Sequence, residues 1–437
     1  MHSVFLSTSL TGDRMPTQIC IFEDNCATQF LPLVYFRPVY NLICGMSSLG
    51  EKIVSSYPGA PVTLHMRPYL EPLFKARYPL FRINELMAES VLFVNGRVLA
   101  GSDFALKIPL EGPAETVYYS GKNIVAARLS GQLLEELKQR PAGIASIGEI
   151  DGMQRVQVDV HLVEYPWDLI NRLHEQMGID FRRKVKSLKG KQIKGKVYAG
   201  CHLLNKKNIV IDAGSVVKPG VVIDAENGPV YVGRNVTIMS HATIVGPVHI
   251  GDGSIVKIGA QVYGETYLGR VCKVGGEIAE SVMHAYANKQ HEGFLGHSYL
   301  GAWVNLGAGT TNSDLKNNYS TVKVQTGAGT IDSGSVFVGA TIGDHTKSAI
   351  NTVFNSGTVV GVSSNVFGSG FPPKFIPSFS WGGAGEAFAT YSFDRALEVA
   401  ERVMQRRGVT MREEERELFH TIFEMTTDDR RRLRMPQ

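Results

Sequence analysis

The stretch VGRNVTIMSHATIVGPVHIGDGSIVKIGAQVYGETYLGRVCKV (residues 232–274) decides the fold. Counting in sixes from Val232 gives Ile238, Ile244, Ile250, Val256, Val262, Leu268 and Val274, all aliphatic. A period of six is neither the 3.6 of a helix nor the two of a plain strand. It is the step of a hexapeptide β-helix, in which every sixth side chain enters the bore of a narrow prism. Upstream, Ile211, Val217 and Ile223 keep the same step before a three-residue slip within DAENGP. Gly, Asp, Asn and Ser recur between the aliphatic positions, where small residues let the backbone turn a corner. Three steps make a coil, and stacked coils pair one another's backbone while burying a continuous core.

The register breaks after Val274 and resumes at Leu300 and Leu306. It returns at Val336, Ile342, Phe354, Val360 and Val366, with Ser348 as a polar exception. The two gaps, residues 279–298 and 310–330, are where loops are expected to leave the coils, and such loops tend to carry function. The first holds His284, Asn288, Lys289, His291 and His297; the second holds Asn312, Asp314, Lys316, Asn317 and Asn318. Around and between them runs FLGHSYLGAWVNLGAGT (294–310), which sets His297 in a Gly-rich wall beside Tyr299 and Asn305.

With 437 residues the chain is long enough for two or three domains. A net charge of +4 gives no global pull towards nucleic acid or membrane. The five cysteines (Cys20, Cys26, Cys44, Cys201, Cys272) contain no CxxC pair and point to a reducing compartment. No apolar run approaches the ~20 residues of a membrane span. The opening MHSVFLSTSLTGDRM lacks the pattern of a signal peptide, and Met15 can serve as the start. A cytoplasmic, soluble protein is expected.

Residues 15–165 read as an α/β domain. QICIFED, VTLHMR (62–67), SVLFVNGRVLA (90–100) and VQVDVHLVEY (156–165) are strand-like. LICGMSSLGEKIVSSY and GQLLEELKQR between them are helix-like. Glu23 and Asp24 close the first strand, and Arg37, set by Pro38, is either a phosphate ligand or a solvated loop residue. Residues 166–196 link the domains. Leu169, Leu173 and Met177 mark one helix face, followed by the basic strip RRKVKSLKGKQIKGK, which attracts phosphate or is simply solvated. The β-helix is assigned to 197–370. The tail, 371–437, leaves the repeat through Pro372 and Pro373 and forms two helical patterns around Gly408. Thr410 and Glu413 suggest a capping box, and the helices are expected to cover the open end of the solenoid or to meet a neighbouring subunit.

The repeat run resembles the hexapeptide acyltransferases, which implies a left-handed parallel β-helix, a homotrimer and acyl-CoA held between adjacent prisms. Gly296-His297, Tyr299-Leu300-Gly301 and Val304-Asn305-Leu306-Gly307-Ala308-Gly309-Thr310 resemble the acetyltransferase half of the bifunctional uridyltransferase/acetyltransferase of N-acetylglucosamine synthesis. One residue is missing between the histidine and tyrosine, and of that family's following Asn-Tyr only Asn312 is matched. The N-terminal segment is similar to its sugar-nucleotidyltransferase half, closest to a divergent subgroup with an acid-tipped first strand and an R-P motif. The Gly-rich nucleotide signature is absent after Phe22. Asn95, Gly96 and Arg97 stand where a Gly-Asp pair would hold Mg2+.

The resemblance implies acetyl-CoA or another acyl-CoA as co-substrate and an amino sugar phosphate or nucleotide-linked amino sugar as acceptor. His297 is then the general base, Tyr299, Asn305 and Asn312 orient the sugar, and Lys289 holds its phosphate. The alternative for His297 is a cap on a coil corner. His241, His249, His284, His291 and His345 show no metal-ligand spacing. Asp24 and Arg37 are the nucleotide- or phosphate-binding candidates of the first domain. Two other readings stand beside acyl transfer: a sugar-1-phosphate nucleotidyltransferase whose β-helix only oligomerises or regulates, and a non-catalytic sugar-nucleotide scaffold.

Overall fold

The structure is a computed structural model that describes residues 17–139, 144, 147, 152–326 and 329–436. The expected start at Met15 lies outside the described residues. The chain falls into two units. One holds the residues to Phe30, Phe36–Ile43 and Ser47–Tyr165; the other holds Leu31–Tyr35, Cys44–Met46 and the residues from Pro166.

The first unit is an α/β domain around Gln18–Phe22 (β1), every residue of which is buried. Such a run suits a central parallel strand covered on both faces. It lies between Val62–Leu64 (β2) and Ser90–Asn95 (β4), parallel to both, with Arg82–Ile83 (β3) beyond β2. On the other side Thr116–Ser120 (β5) and Asn123–Ser130 (β6) form a hairpin, and Gln154–Gln157 (β7) pairs with β5. The strand expected over 156–165 therefore largely fails. β7 runs beside β5 and ends where β5 turns at Gly121; beyond it the chain makes an isolated antiparallel bridge, Leu162 with Val98, rather than a strand. Helix Leu49–Ser56 starts where Ser48 Oγ accepts from the Glu51 amide and Glu51 accepts from the Ser48 amide, a capping box.

In the second unit the expected linker helix is two: Pro166–Asn171 and Leu173–Ser187. Leu169, Leu173 and Met177 are buried as one face. The second helix runs into the basic strip, so Arg182–Ser187 is helical rather than extended linker.

From Lys196 the chain winds a parallel β-helix, consistent with the left-handed form. Among the described residues face 1 carries nine strands from Ile209–Ile211, face 2 eleven from Lys196–Val197, and face 3 six from His202–Leu204. The inward residues predicted from Ile211 to Val274 are all fully buried and form one continuous core. The face 3 ladder breaks after Phe294–Gly296, where the Asn312 side chain takes the Gly296 backbone bonds, and the face continues as the pair Thr311–Asn312 and Val353–Phe354.

The first expected gap is not an excursion. Glu277–Ala279, Val282–Met283, Asn288–Lys289 and Phe294–Gly296 are strands of two further coils. Leu268 pairs with Met283 and Met283 with Leu300, steps of 15 and 17 residues instead of 18. The corners lose residues while the ladder stays intact, and counting in sixes loses the phase. The second gap is a real excursion. Leu300 pairs next with Ile342, 42 residues on, and the added chain contains the hairpin Lys323–Thr326/Gly329–Asp332. Val336 lies on that excursion, half-buried, rather than in the bore. Ser348 keeps an inward position because its Oγ bonds Thr310 Oγ1 and the Gly307 amide.

At the far end Glu386–Thr390 turns antiparallel against Ser380–Ala384, and Phe388 packs on the core. Helices Phe393–Gln405, Glu413–Met425 and Thr427–Arg432 follow. Phe423 meets Phe379 of the last coil edge to face at 5.0 Å, so these helices do cover the end. The capping pair differs from expectation. Arg412 precedes the helix, and its amide donates to Glu415, while Thr410 lies outside. The described residues contain no helix long and apolar enough to cross a membrane, and all five cysteines are free.

Candidate active site

His297 occupies the corner between Phe294–Gly296 on face 3 and Tyr299–Leu300 on face 1, with φ +44°. Other corners of the stack use the same left-handed conformation, at Asn235, His241 and Trp303 among others. The backbone of His297 is thus an ordinary corner. Its side chain is not. The excursion that leaves after Thr311–Asn312 brings Asp314 Oδ2 to 2.8 Å from His297 Nδ1 and stacks Phe337 on the imidazole at 4.9 Å. Glu280 Oε2 stands 3.8 Å from the same nitrogen. Nε2 makes no hydrogen bond among the described residues, and the side chain is 18% exposed, enough for a small group to reach it.

A carboxylate on Nδ1 keeps the proton there and leaves the lone pair on Nε2. This is the arrangement a general base needs. Beside it lies a cleft of about 330 Å3 lined by His174, Tyr263, Glu265 and Glu280, with Gly246 and Pro247. His174 Nδ1 bonds Glu265 at 2.7 Å, and the Tyr263 hydroxyl donates to Glu277. Burial raises the Glu280 carboxyl above the usual range; His297 works against that shift, and Glu265 and Asp314 add to it. Burial and Glu277 push the Tyr263 phenol up to about 12. No lysine or arginine lines the cleft among the described residues. The site favours a cationic or neutral group over a phosphate.

The other residues expected around His297 go elsewhere. Lys289 aligns with Val274 and Leu306, so its side chain enters the bore. It is 1% exposed, and its Nζ donates to the carbonyls of Gly275 and His291, leaving no reach to a sugar phosphate. Burial lowers its pKa to about 8. Tyr299 points outward but is buried, in the contact between its strand and helix Pro166–Asn171, and its hydroxyl meets His284 Nε2 at 3.2 Å. Asn312 is inward. Its amide accepts from the Gly296 N–H and donates to the Gly296 carbonyl, so it splices the excursion to the strand before His297. Asn305 faces outward on face 2, beside Asn288 and Lys347, on a different face from the His297 corner. In place of these, the structure supplies Asp314, Glu280, Tyr263 and Phe337. Asp314 was visible in the sequence as an acid in the second gap, but nothing in its spacing showed that it returns to His297.

In the first unit Asp24 is not a free acid. Arg97 Nη2 stands 2.6 Å from its carboxylate, Arg97 Nε bonds both oxygens, and Asn95 Nδ2 donates at 2.9 Å. The residues replacing the Gly-Asp pair thus fill the acidic tip with the protein's own cation, and the site does not fit Mg2+. No group of three or more His, Cys, Asp or Glu suited to a metal occurs among the described residues. Arg37 is buried rather than solvated, with its carbonyl taken by Arg67. Arg67 also pairs with Glu23 at 3.0 Å, so the strand tip carries two ion pairs. Neither Asp24 nor Arg37 is presented as an open phosphate ligand.

Residues 19–187 match the family model described as sugar nucleotidyl transferase. The chain is 30% identical over 139 residues to the bifunctional protein GlmU of Acaryochloris marina, covering 30% of this chain and 29% of that one. It is 32% identical over 155 residues to GlmU of Rippkaea orientalis, covering 35% and 29%. It is also 32% identical over 91 residues to a bifunctional sugar-1-phosphate nucleotidylyltransferase/acetyltransferase of Sulfurisphaera tokodaii, covering 21% and 23%. The chain thus spans about three-tenths or less of the length of these curated relatives. Among solved structures, the UDP-N-acetylglucosamine acyltransferase of Francisella novicida aligns with TM-score 0.29 at 11% identity, covering 55% of this chain and 78% of that one. Residues 19–187 thus resemble sugar nucleotidyl transferases, and the chain is similar to these bifunctional relatives over a part of its length only.

Proposed function

We propose that the β-helix is an acyl-CoA-dependent N-acyltransferase whose acceptor is an amino sugar phosphate or a nucleotide-linked amino sugar. The observation that supports this most is the His297–Asp314 pair, with Nε2 left as a hydrogen-bond acceptor beside a carboxylate-lined cleft. An amine arrives mostly as ammonium, and Glu280 and Glu265 suit that charge. The ammonium first sheds one proton to water, and His297 Nε2 takes a second as the freed nitrogen attacks the thioester carbonyl. The C–N bond forms, the C–S bond breaks, and His297 returns the proton to the departing thiolate. General-base help of this kind is worth ~10²–10⁴ in rate. The bifunctional nucleotidylyltransferase/acetyltransferase relatives support the same reaction class.

The acetyl group is the first acyl chain to test, and the assembly is proposed as a homotrimer in the cytoplasm. The first unit is proposed to bind a sugar nucleotide without a metal-dependent step, because Arg97 already occupies the Asp24 carboxylate. The test is thiol release from acetyl-CoA with glucosamine 1-phosphate and with a panel of nucleotide-linked amino sugars, on wild type and His297→Ala. Release that disappears in the variant supports the proposal. Release that persists in His297→Ala, or a wild type silent on the whole panel, rules it out.

A further inference from the structure

Face 2 turns a set of cations outward with no acid among them. Lys273 stands in register with Ile255 on one coil and Asn288 on the next. Asn288 Oδ1 accepts from Arg407 Nη2 at 2.8 Å, which draws the segment just after helix Phe393–Gln405 onto this face. Lys257 follows the strand Ile255–Val256, with its Cβ against Gly275, and Arg406 adjoins Arg407. Lys257, Lys273 and Arg407 are half-buried, so their charges are only partly screened.

None of the four makes an ion pair among the described residues. Other arginines of the same helices are paired: Arg402 with Glu398, and Arg416 with Glu401. The Lys273 ammonium is lowered by burial and by Arg407, Lys257 and Arg406, with no acid acting on it. Four like charges gathered on one patch repel one another, and an anion between them removes that cost. Arg406 is exposed, and Ile258, next to Lys257 in the chain, is 63% exposed. The patch is thus open, with an apolar border.

We infer that Lys257, Lys273, Arg406 and Arg407 form a binding site for a diphosphate group, separate from the His297 cleft. A diphosphate offers several acceptor oxygens and two to three negative charges, which suits two lysines and two arginines. Both a coenzyme A and a nucleoside diphosphate carry that group, and the proposal does not depend on His297 being a base.

The test is calorimetric titration of the full chain with inorganic pyrophosphate at low salt, with coenzyme A and UDP as separate arms. Wild type is expected to bind pyrophosphate, and Lys257→Gln/Lys273→Gln to bind at least tenfold more weakly with a shallower salt dependence. His297→Ala is expected to bind as wild type does, which keeps this test apart from acyl transfer. The double variant removes two repelling charges, so its melting temperature should be unchanged or higher; that reading excludes misfolding as the cause. Tighter binding of coenzyme A than UDP would identify the acyl donor as the source of the diphosphate, and the reverse order the sugar nucleotide. Failure of wild type to bind pyrophosphate, or equal binding by the double variant, would overturn the inference.

Discussion

Replacing Lys289 with methionine separates a substrate lysine from a lysine of the bore. Methionine fills a similar volume without the charge. The Lys289 ammonium titrates near 8 in the folded chain against 10.5 for a free lysine. That difference of about 2.5 units corresponds to about 3 kcal/mol disfavouring the charged form. The sign follows from linkage. Between pH 8 and 10.5 the unfolded chain holds the proton and the folded chain does not, so Lys289 lets stability rise with pH through that window. Below pH 8 the full penalty is present. At a single pH, relief of that penalty in Lys289→Met is offset by the carbonyls of Gly275 and His291, which lose a donor at about 1–3 kcal/mol each.

The difference between two pH values is free of that offset. The stability of Lys289→Met relative to wild type should fall by about 2.5 kcal/mol between pH 7 and pH 10. Lys347, also lowered to about 8 by burial, acts in both proteins and cancels. Urea unfolding at a series of pH values measures this directly. A relative stability that does not change with pH would refute the bore assignment. A lysine gripping a sugar phosphate would instead raise KM with no such pH signature.

Asp314→Asn keeps the shape of the pair but turns the acceptor facing His297 Nδ1 into a donor, moving the ring proton to Nε2. The turnover number should drop about 10²-fold or more, with KM within a few-fold; unchanged turnover would remove Asp314 from the mechanism. Leu268→Ala, at a fully buried bore position, should cost about 2–5 kcal/mol by denaturant unfolding, since stacked coils leave little room to collapse. A loss under 1 kcal/mol would show a loosely packed bore. Arg97→Met strands the Asp24 carboxylate and should destabilise by about 3 kcal/mol, while adding Asp24→Asn should restore much of it. Equal losses in the single and double variants would mean the ion pair is not the source.

The β-helix was legible because its constraint repeats. Each of the positions from Ile211 to Val274 meets the same bore, and a period of six survives wherever corners keep their length. Two shortened coils after Leu268 hid the next stretch, although its strands pair as regularly as the rest. In the first unit the buried β1 could be read from its run of apolar residues. The β5–β6 hairpin carries a turn at Gly121 that a closer reading of local signals would have caught. The end of β7 could not be read, because it depends on where its partner stops.

Residue type and local motif were enough to single out His297. They could not say where neighbouring side chains point. Lys289, Asn305 and Asn312 lie on two-residue strands whose in-or-out alternation depends on corner lengths, and one lost residue sends a side chain to the other side of the wall. Lys289 fell inward because a shortened coil shifted its phase, whereas Asn312 keeps the step of six from Leu300 and Leu306, and Asn305 fell on another face. Asp314 reached His297 only because an excursion of the chain folds back. The sequence by itself determined the architecture, since a periodic burial requirement is written into every coil. The tertiary structure decided the site, because contacts between residues far apart in the chain are set by where loops return.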